Sequence, residues 1–189
     1  EEYATPEKTG WSMETCCVIN NYLAGIRSTV NEMCRMTEEL EARDEPIVFV
    51  FFGDHKPWMG NGNSVYTEIG VDLDVSTLAG FYNYYATPYV IYANEAAREL
   101  LGSDFAGDGG DFSPCFLMAR LFDECGWEGP GLMQLQREMR EVSPLMSSNG
   151  WRMQDGQLTA ALEGAAEDEN NRYLRAQYYI ETHLKEDAS

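Results

Sequence analysis

Pro46-Ile47-Val48-Phe49-Val50-Phe51-Phe52-Gly53-Asp54-His55-Lys56-Pro57-Trp58-Met59-Gly60 is the stretch on which the reading of the fold turns. Residues 47–52 form a continuous β-branched and aromatic run, which predicts a strand buried on both faces of a parallel sheet. The run stops at Gly53 and is followed at once by a carboxylate and an imidazole. Ligands of open α/β sheets gather outside the carboxyl ends of strands. Asp54 and His55 there can offer one hard oxygen and one imidazole nitrogen to a divalent metal. The plainer alternative is that Asp54 caps a turn and His55 is a surface residue.

Working upstream, residues 13–42 read as a long amphipathic helix. Ile19, Leu23, Ile26, Val30, Met33 and Leu40 fall mostly at three- or four-residue steps. Its last turns are charged and face solvent. A helix feeding a buried strand is half of a βαβ unit, so a partner strand is expected before residue 1. Residues 1–10 read as an irregular lead-in, and the start Glu1-Glu2-Tyr3 without Met reads as a mature, trimmed or excised chain.

Downstream, Gly60-Asn61-Gly62-Asn63 is a turn-rich loop, and Ser64 caps a short helix through Ile69. Residues 75–86 carry four aromatics with no interleaved Lys or Arg, which predicts core rather than a base-stacking platform. Residues 88–93 read as a second strand with Pro88 at its first position, ended by Asn94. The Gly/Asp stretch 102–112 has the composition of a calcium loop but lacks the spacing and closing acid of an EF-hand, and reads as a solvated turn. Ser113 and Pro114 open a helix to Cys125 as N-cap and N1, and Gly126 stops it. A further helix spans 132–142. Residues 150–189 are expected to form a hairpin around Asp155-Gly156 and a terminal helix from 165 to 184, with Tyr173, Leu174, Gln177, Tyr178, Ile180 and Leu184 near one face and His183 on the surface.

Composition narrows the function. The 189 residues are 44% hydrophobic and 24% charged, enough for a globular domain and short for two. Thirteen Lys+Arg against 32 Asp+Glu give a net charge of −19, which repels nucleic acid and anionic lipid surfaces. No apolar run reaches the length of a membrane span, and no signal peptide is visible. The five cysteines include no C-x-x-C pair and read mostly as small buried hydrophobes, with their disulfide state open.

The order of these signals then matters. Val48-Phe49-Val50-Phe51-Phe52-Gly53-Asp54-His55-Lys56-Pro57 precedes Tyr85-Ala86-Thr87-Pro88-Tyr89-Val90-Ile91-Tyr92-Ala93-Asn94. Asp111-Phe112-Ser113-Pro114, Cys125-Gly126-Trp127 and Pro130 follow. The series resembles the C-terminal part of the sulfatase-like catalytic domain of the lipoteichoic acid synthase family, in the alkaline phosphatase superfamily. The resemblance covers about residues 11–142, with weaker support over 173–179. It implies an α/β fold, part of a sulfatase-like sandwich with a mixed sheet flanked by helices, and makes residues 1–189 the C-terminal portion of one such domain.

What the resemblance implies for function is equally specific. The parent is a membrane-anchored phosphoglycerol transferase, or a related sulfatase-family hydrolase, whose catalytic domain faces the outside of the cell. It acts on phosphatidylglycerol-like or other phosphodiesters. Asp54 and His55 become ligands of a divalent metal, manganese or magnesium first and zinc as a possibility. Lys56 is a candidate phosphate contact or else a solvent-facing lysine. The nucleophile, the first acidic ligand and the substrate-binding histidines belong upstream, so the chain alone is expected to be inactive. Ser64, Thr67 and Thr87 carry hydroxyls, but nothing singles one out as nucleophile. The alternative is a non-catalytic acidic binding or interaction module that keeps part of the fold. An incomplete sheet also predicts self-association through the exposed edge of the strand at 47–52.

Overall fold

The computed structural model describes residues 3–183 and shows a mixed α and β chain in two compact units, Glu1–Gly102 and Ser103–Ser189. Among the described residues no helix is long and apolar enough to cross a membrane.

In the first unit the expected irregular lead-in holds one short helix, α1 (Pro6–Thr9). Pro6 presets the φ of its first turn, and Gly10, at φ 76°, returns its N–H to Pro6 O. Helix α2 (Met13–Glu41) matches the periodicity, with Ser12 Oγ accepting from Thr15 N at 3.2 Å. Its burial does not match. Of its 29 residues only Thr15 and Cys16 are buried, while Ile26 and Val30 are 42% and 49% exposed. The stripe is therefore a real helical face that is only partly covered, with Ile19, Leu23, Met33 and Leu40 half-buried.

Strand β1 (Val48–Phe52) pairs with β2 (Tyr89–Ala93) in antiparallel register, from Val48 opposite Ala93 to Phe52 opposite Tyr89. This corrects the expectation of a parallel sheet. The two strands make a two-stranded sheet, and no β1 residue is fully buried. An unbroken apolar run reports strand propensity but not the direction of the neighbour, and antiparallel pairing needs no crossover. Between the strands lie α3 (Ser64–Glu68) and α4 (Leu78–Tyr85). Phe81 is buried, but Tyr84 and Tyr85 are each 39% exposed, so the aromatic cluster is core only in part.

Asn94 does more than end β2. It is fully buried and caps α5 (Glu95–Leu101), a helix the sequence reading passed over. Its Oδ1 accepts from Ala97 N at 3.0 Å and Ile47 N at 2.9 Å. Its Nδ2 donates to Leu40 O, Arg43 O and Glu45 O at 3.1, 3.2 and 2.8 Å. One side chain thus joins the end of α2, the entry to β1 and the start of α5.

In the second unit a 3₁₀ turn (Pro114–Phe116) leads into α6 (Leu117–Glu124), followed by α7 (Gly131–Val142). Ser113 is not the side-chain cap expected; its Oγ instead accepts from Met146 N at 2.7 Å and donates to Met146 O at 3.1 Å. Strands β3 (Arg152–Gln154) and β4 (Gln157–Thr159) form the anticipated hairpin. Asp155 and Gly156 both adopt positive φ, 51° and 74°, as a two-residue turn of this hand requires. Helix α8 (Ala165–His183) closes the described chain; Leu184, expected on its apolar face, lies outside the described residues. Phe116, Met139, Leu162, Ala166 and Tyr173 make the core. Among the described residues of the face predicted for α8 only Tyr173 is buried, while Tyr178 and Leu174 are exposed. The cysteine reading also needs correction: Cys16 and Cys125 are buried, but Cys17, Cys34 and Cys115 are exposed.

Candidate functional site

The turn after β1 is held from the side. Gly53 N donates to Pro88 O at 3.0 Å, and Thr87 Oγ1 donates to Gly53 O at 2.6 Å. A Cβ at Gly53 would stand 2.9 Å from Thr87 Cβ, so the close approach needs glycine. The Thr87 hydroxyl, one of three considered in sequence, spends its proton on this clamp. Farther along, Tyr66 from α3 donates to Pro57 O at 2.9 Å, and burial raises its phenol above the ordinary 10.0, keeping it a donor. Asn63 Oδ1 accepts from Met59 N at 3.2 Å. The strand end, α3 and the 3₁₀ turn just before it (Asn61–Asn63) therefore fix both sides of the Asp54–Trp58 segment.

The structure brings Asp54 and His55 together. Asp54 Oδ1 accepts from the backbone N–H of His55 at 2.9 Å, which sets the carboxylate's orientation. His55 Nδ1 lies 2.9 Å from Lys56 O. A carbonyl oxygen can only accept, so Nδ1 carries the proton of this bond and the neutral ring keeps its lone pair on Nε2. Nε2 lies 3.4 Å from Asp54 Oδ2, and the two side chains are 77% and 81% exposed. A proton on Nε2 makes this contact an exposed ion pair, and a metal ion between the two atoms would use the same lone pairs.

The pair fits a divalent ion as two donors. Atoms bound at about 2.1 Å stand about 3.4 Å apart on a tetrahedral edge and about 3.0 Å apart on an octahedral one. The observed separation meets the first, and a small rotation of an exposed carboxylate meets the second. Donation of Nδ1–H to a backbone carbonyl is the usual way a ligating histidine is oriented. Among the described residues no group of three or more His, Cys, Asp and Glu side chains assembles a fuller metal site. His183 is remote in sequence and role; it stacks on Tyr179 with ring centroids 4.4 Å apart and is exposed.

Asp54, His55 and Lys56 line a cleft of about 330 Å³ within the first unit. Half of the rest of its lining is aromatic: Trp58, Tyr66, Tyr84 and Tyr85. The sequence reading missed these four as site residues. The signal was available for Trp58, which follows Pro57 directly, but Tyr84 and Tyr85 reach the cleft only because α4 folds back beside the turn.

No protein-family model matches this chain, and no curated protein or solved structure does either. The functional reading consequently stands on the resemblance carried by the sequence motifs and on the residues of the cleft.

Proposed function

We propose that this chain is the C-terminal, Asp-His-bearing portion of a sulfatase-like, metal-dependent phosphoglycerol transferase or phosphodiesterase, acting on cell-envelope phosphodiesters at the outer face of the membrane. The observation that carries the reading is the facing pair Asp54 Oδ2 and His55 Nε2, 3.4 Å apart, with the imidazole proton directed away to Lys56 O. Asp54 and His55 hold a divalent ion, manganese or magnesium ahead of zinc on the resemblance. Such an ion, when bound, withdraws charge from phosphoryl oxygens and lowers the pKa of an attacking hydroxyl. Lys56 shares the cleft and offers a point charge to the phosphate. Position past a strand end holds both donors on ordered backbone. The attacking hydroxyl belongs to another part of the parent protein.

The test is phosphodiester turnover by the full-length parent with manganese, before and after Asp54→Ala and His55→Ala. Loss of a ligand predicts a fall of at least about 100-fold, beyond what loss of an outer-shell partner causes. Turnover unchanged by both substitutions would overturn the reading and favour the non-catalytic acidic module.

A further inference from the structure

The cleft holds more than its phosphate-seeking end needs. Four aromatic residues line it, drawn from three places: Trp58 on the turn, Tyr66 on α3, and Tyr84 and Tyr85 on α4. Trp58 is 71% exposed, a large apolar surface left in water at the mouth of a cleft. Tyr84 and Tyr85 pack edge to face with centroids 4.7 Å apart, and Tyr85 leans on the buried Phe81 at the same distance, so the α4 rings are braced. The Tyr66 hydroxyl is occupied by Pro57 O, which leaves its ring rather than its oxygen for a ligand.

We propose that this aromatic side of the cleft is a headgroup subsite for a quaternary ammonium, so that the substrate is a zwitterionic phosphodiester of the phosphocholine type. The inference rests on the phosphodiester reading only for where the phosphate goes. Charge selects the other end. Aromatic faces attract a desolvated cation, most strongly those of tryptophan and tyrosine. A chain of net charge −19 raises the local concentration of cations over that of neutral polyols or sugars. Lys56 in the same cleft pairs with the phosphate of a zwitterion. A volume of about 330 Å³ suits one small headgroup. Asp54 and His55 remain committed to the metal, and the subsite uses neither.

The experiment is titration of the chain with choline chloride in the presence of EDTA, followed by ligand-observed NMR, with glycerol and glucose as neutral competitors. Saturable choline binding in the millimolar range is expected, weakened about tenfold by Trp58→Ala and again by Tyr84→Ala. Trp58 is exposed enough that its truncation leaves the fold in place, which circular dichroism checks. The inference is overturned if choline fails to saturate by about 100 mM. It is also overturned if the two aromatic substitutions leave binding unchanged, or if glycerol or glucose competes as well as choline. Because EDTA removes any metal, a negative result here leaves the Asp54–His55 reading intact. Loss of metal binding at that pair, measured without choline, leaves this one intact.

Discussion

Asn94→Ala should unfold the first unit far more readily than its position at a strand end suggests. The amide has five partners, and its burial means water cannot replace them. Truncation removes the α5 cap, worth about 1 kcal/mol. It also leaves Ile47 N–H without its partner, at about 1–3 kcal/mol. Of the three carbonyls served by Nδ2, Leu40 O keeps a bond from Arg43 N at 3.2 Å, so Arg43 O and Glu45 O bear the remaining loss. These terms share one site and do not simply add; the net expectation is about 3–5 kcal/mol. Urea unfolding followed by circular dichroism, with a slope near 2 kcal/mol/M, should show the midpoint of the first unit falling by about 2 M. Asn94→Asp separates hydrogen bonding from size. It keeps the acceptor roles but sets a carboxylate against three carbonyls. Its folded pKa is then raised above the unfolded value, so this variant gains stability as pH falls through the raised value. A loss under about 1 kcal/mol for Asn94→Ala, or an Asp variant whose deficit relative to the parent chain at the same pH grows on acidification, would refute the keystone role.

Two further outcomes follow from the contact between Gly53 and Thr87. Gly53→Ala drives a Cβ to 2.9 Å from Thr87 Cβ, so it should cost about 1–3 kcal/mol in thermal unfolding and weaken metal binding by moving the turn. Thr87→Val, which removes only the bond to Gly53 O, should cost about 1 kcal/mol. On acidification, Glu68 and Glu41 are the groups to watch. Hydrogen bonds from the Thr15 hydroxyl and from Ser12 hold Glu68 below the ordinary 4.5, and Arg98 with the Tyr92 hydroxyl does the same for Glu41. Their folded values are depressed, so their contribution is full above about pH 4.5 and is lost as pH falls through the folded values. Urea midpoints from pH 7 to pH 3 should fall accordingly, and Glu68→Gln should flatten the low-pH part of the curve.

How far the chain could be read in advance depended on the range of the contacts involved. The Asp155-Gly156 hairpin was legible because two adjacent residues both tolerate left-handed backbone, which is a local property. Helix α2 was legible as a helix from its spacing, but nothing in spacing says whether Ile26 and Val30 become buried, and here they stay 42% and 49% exposed. The direction of β2 against β1 depends on how the intervening segment returns, which no run of Val and Phe encodes. Asn94 looked like a strand terminator because its partners at Leu40, Arg43, Glu45 and Ile47 are about fifty residues away in sequence. At the site, residue types suggested a metal pair, whereas the orientation of His55 follows from a backbone carbonyl that only the folded turn presents. Tyr84 and Tyr85 read as core in sequence because a buried ring and a pocket ring share one composition.

The most direct test of the central claim uses the two histidines of the chain against each other. Manganese added to the protein broadens imidazole proton signals according to distance, and a chain of net charge −19 will collect some ions without specificity. Site-specific binding predicts that the His55 ring signals broaden at low stoichiometry while those of His183 persist, and that Asp54→Ala abolishes the difference. Equal broadening of both histidines, or preferential broadening of His55 that survives Asp54→Ala, would contradict it.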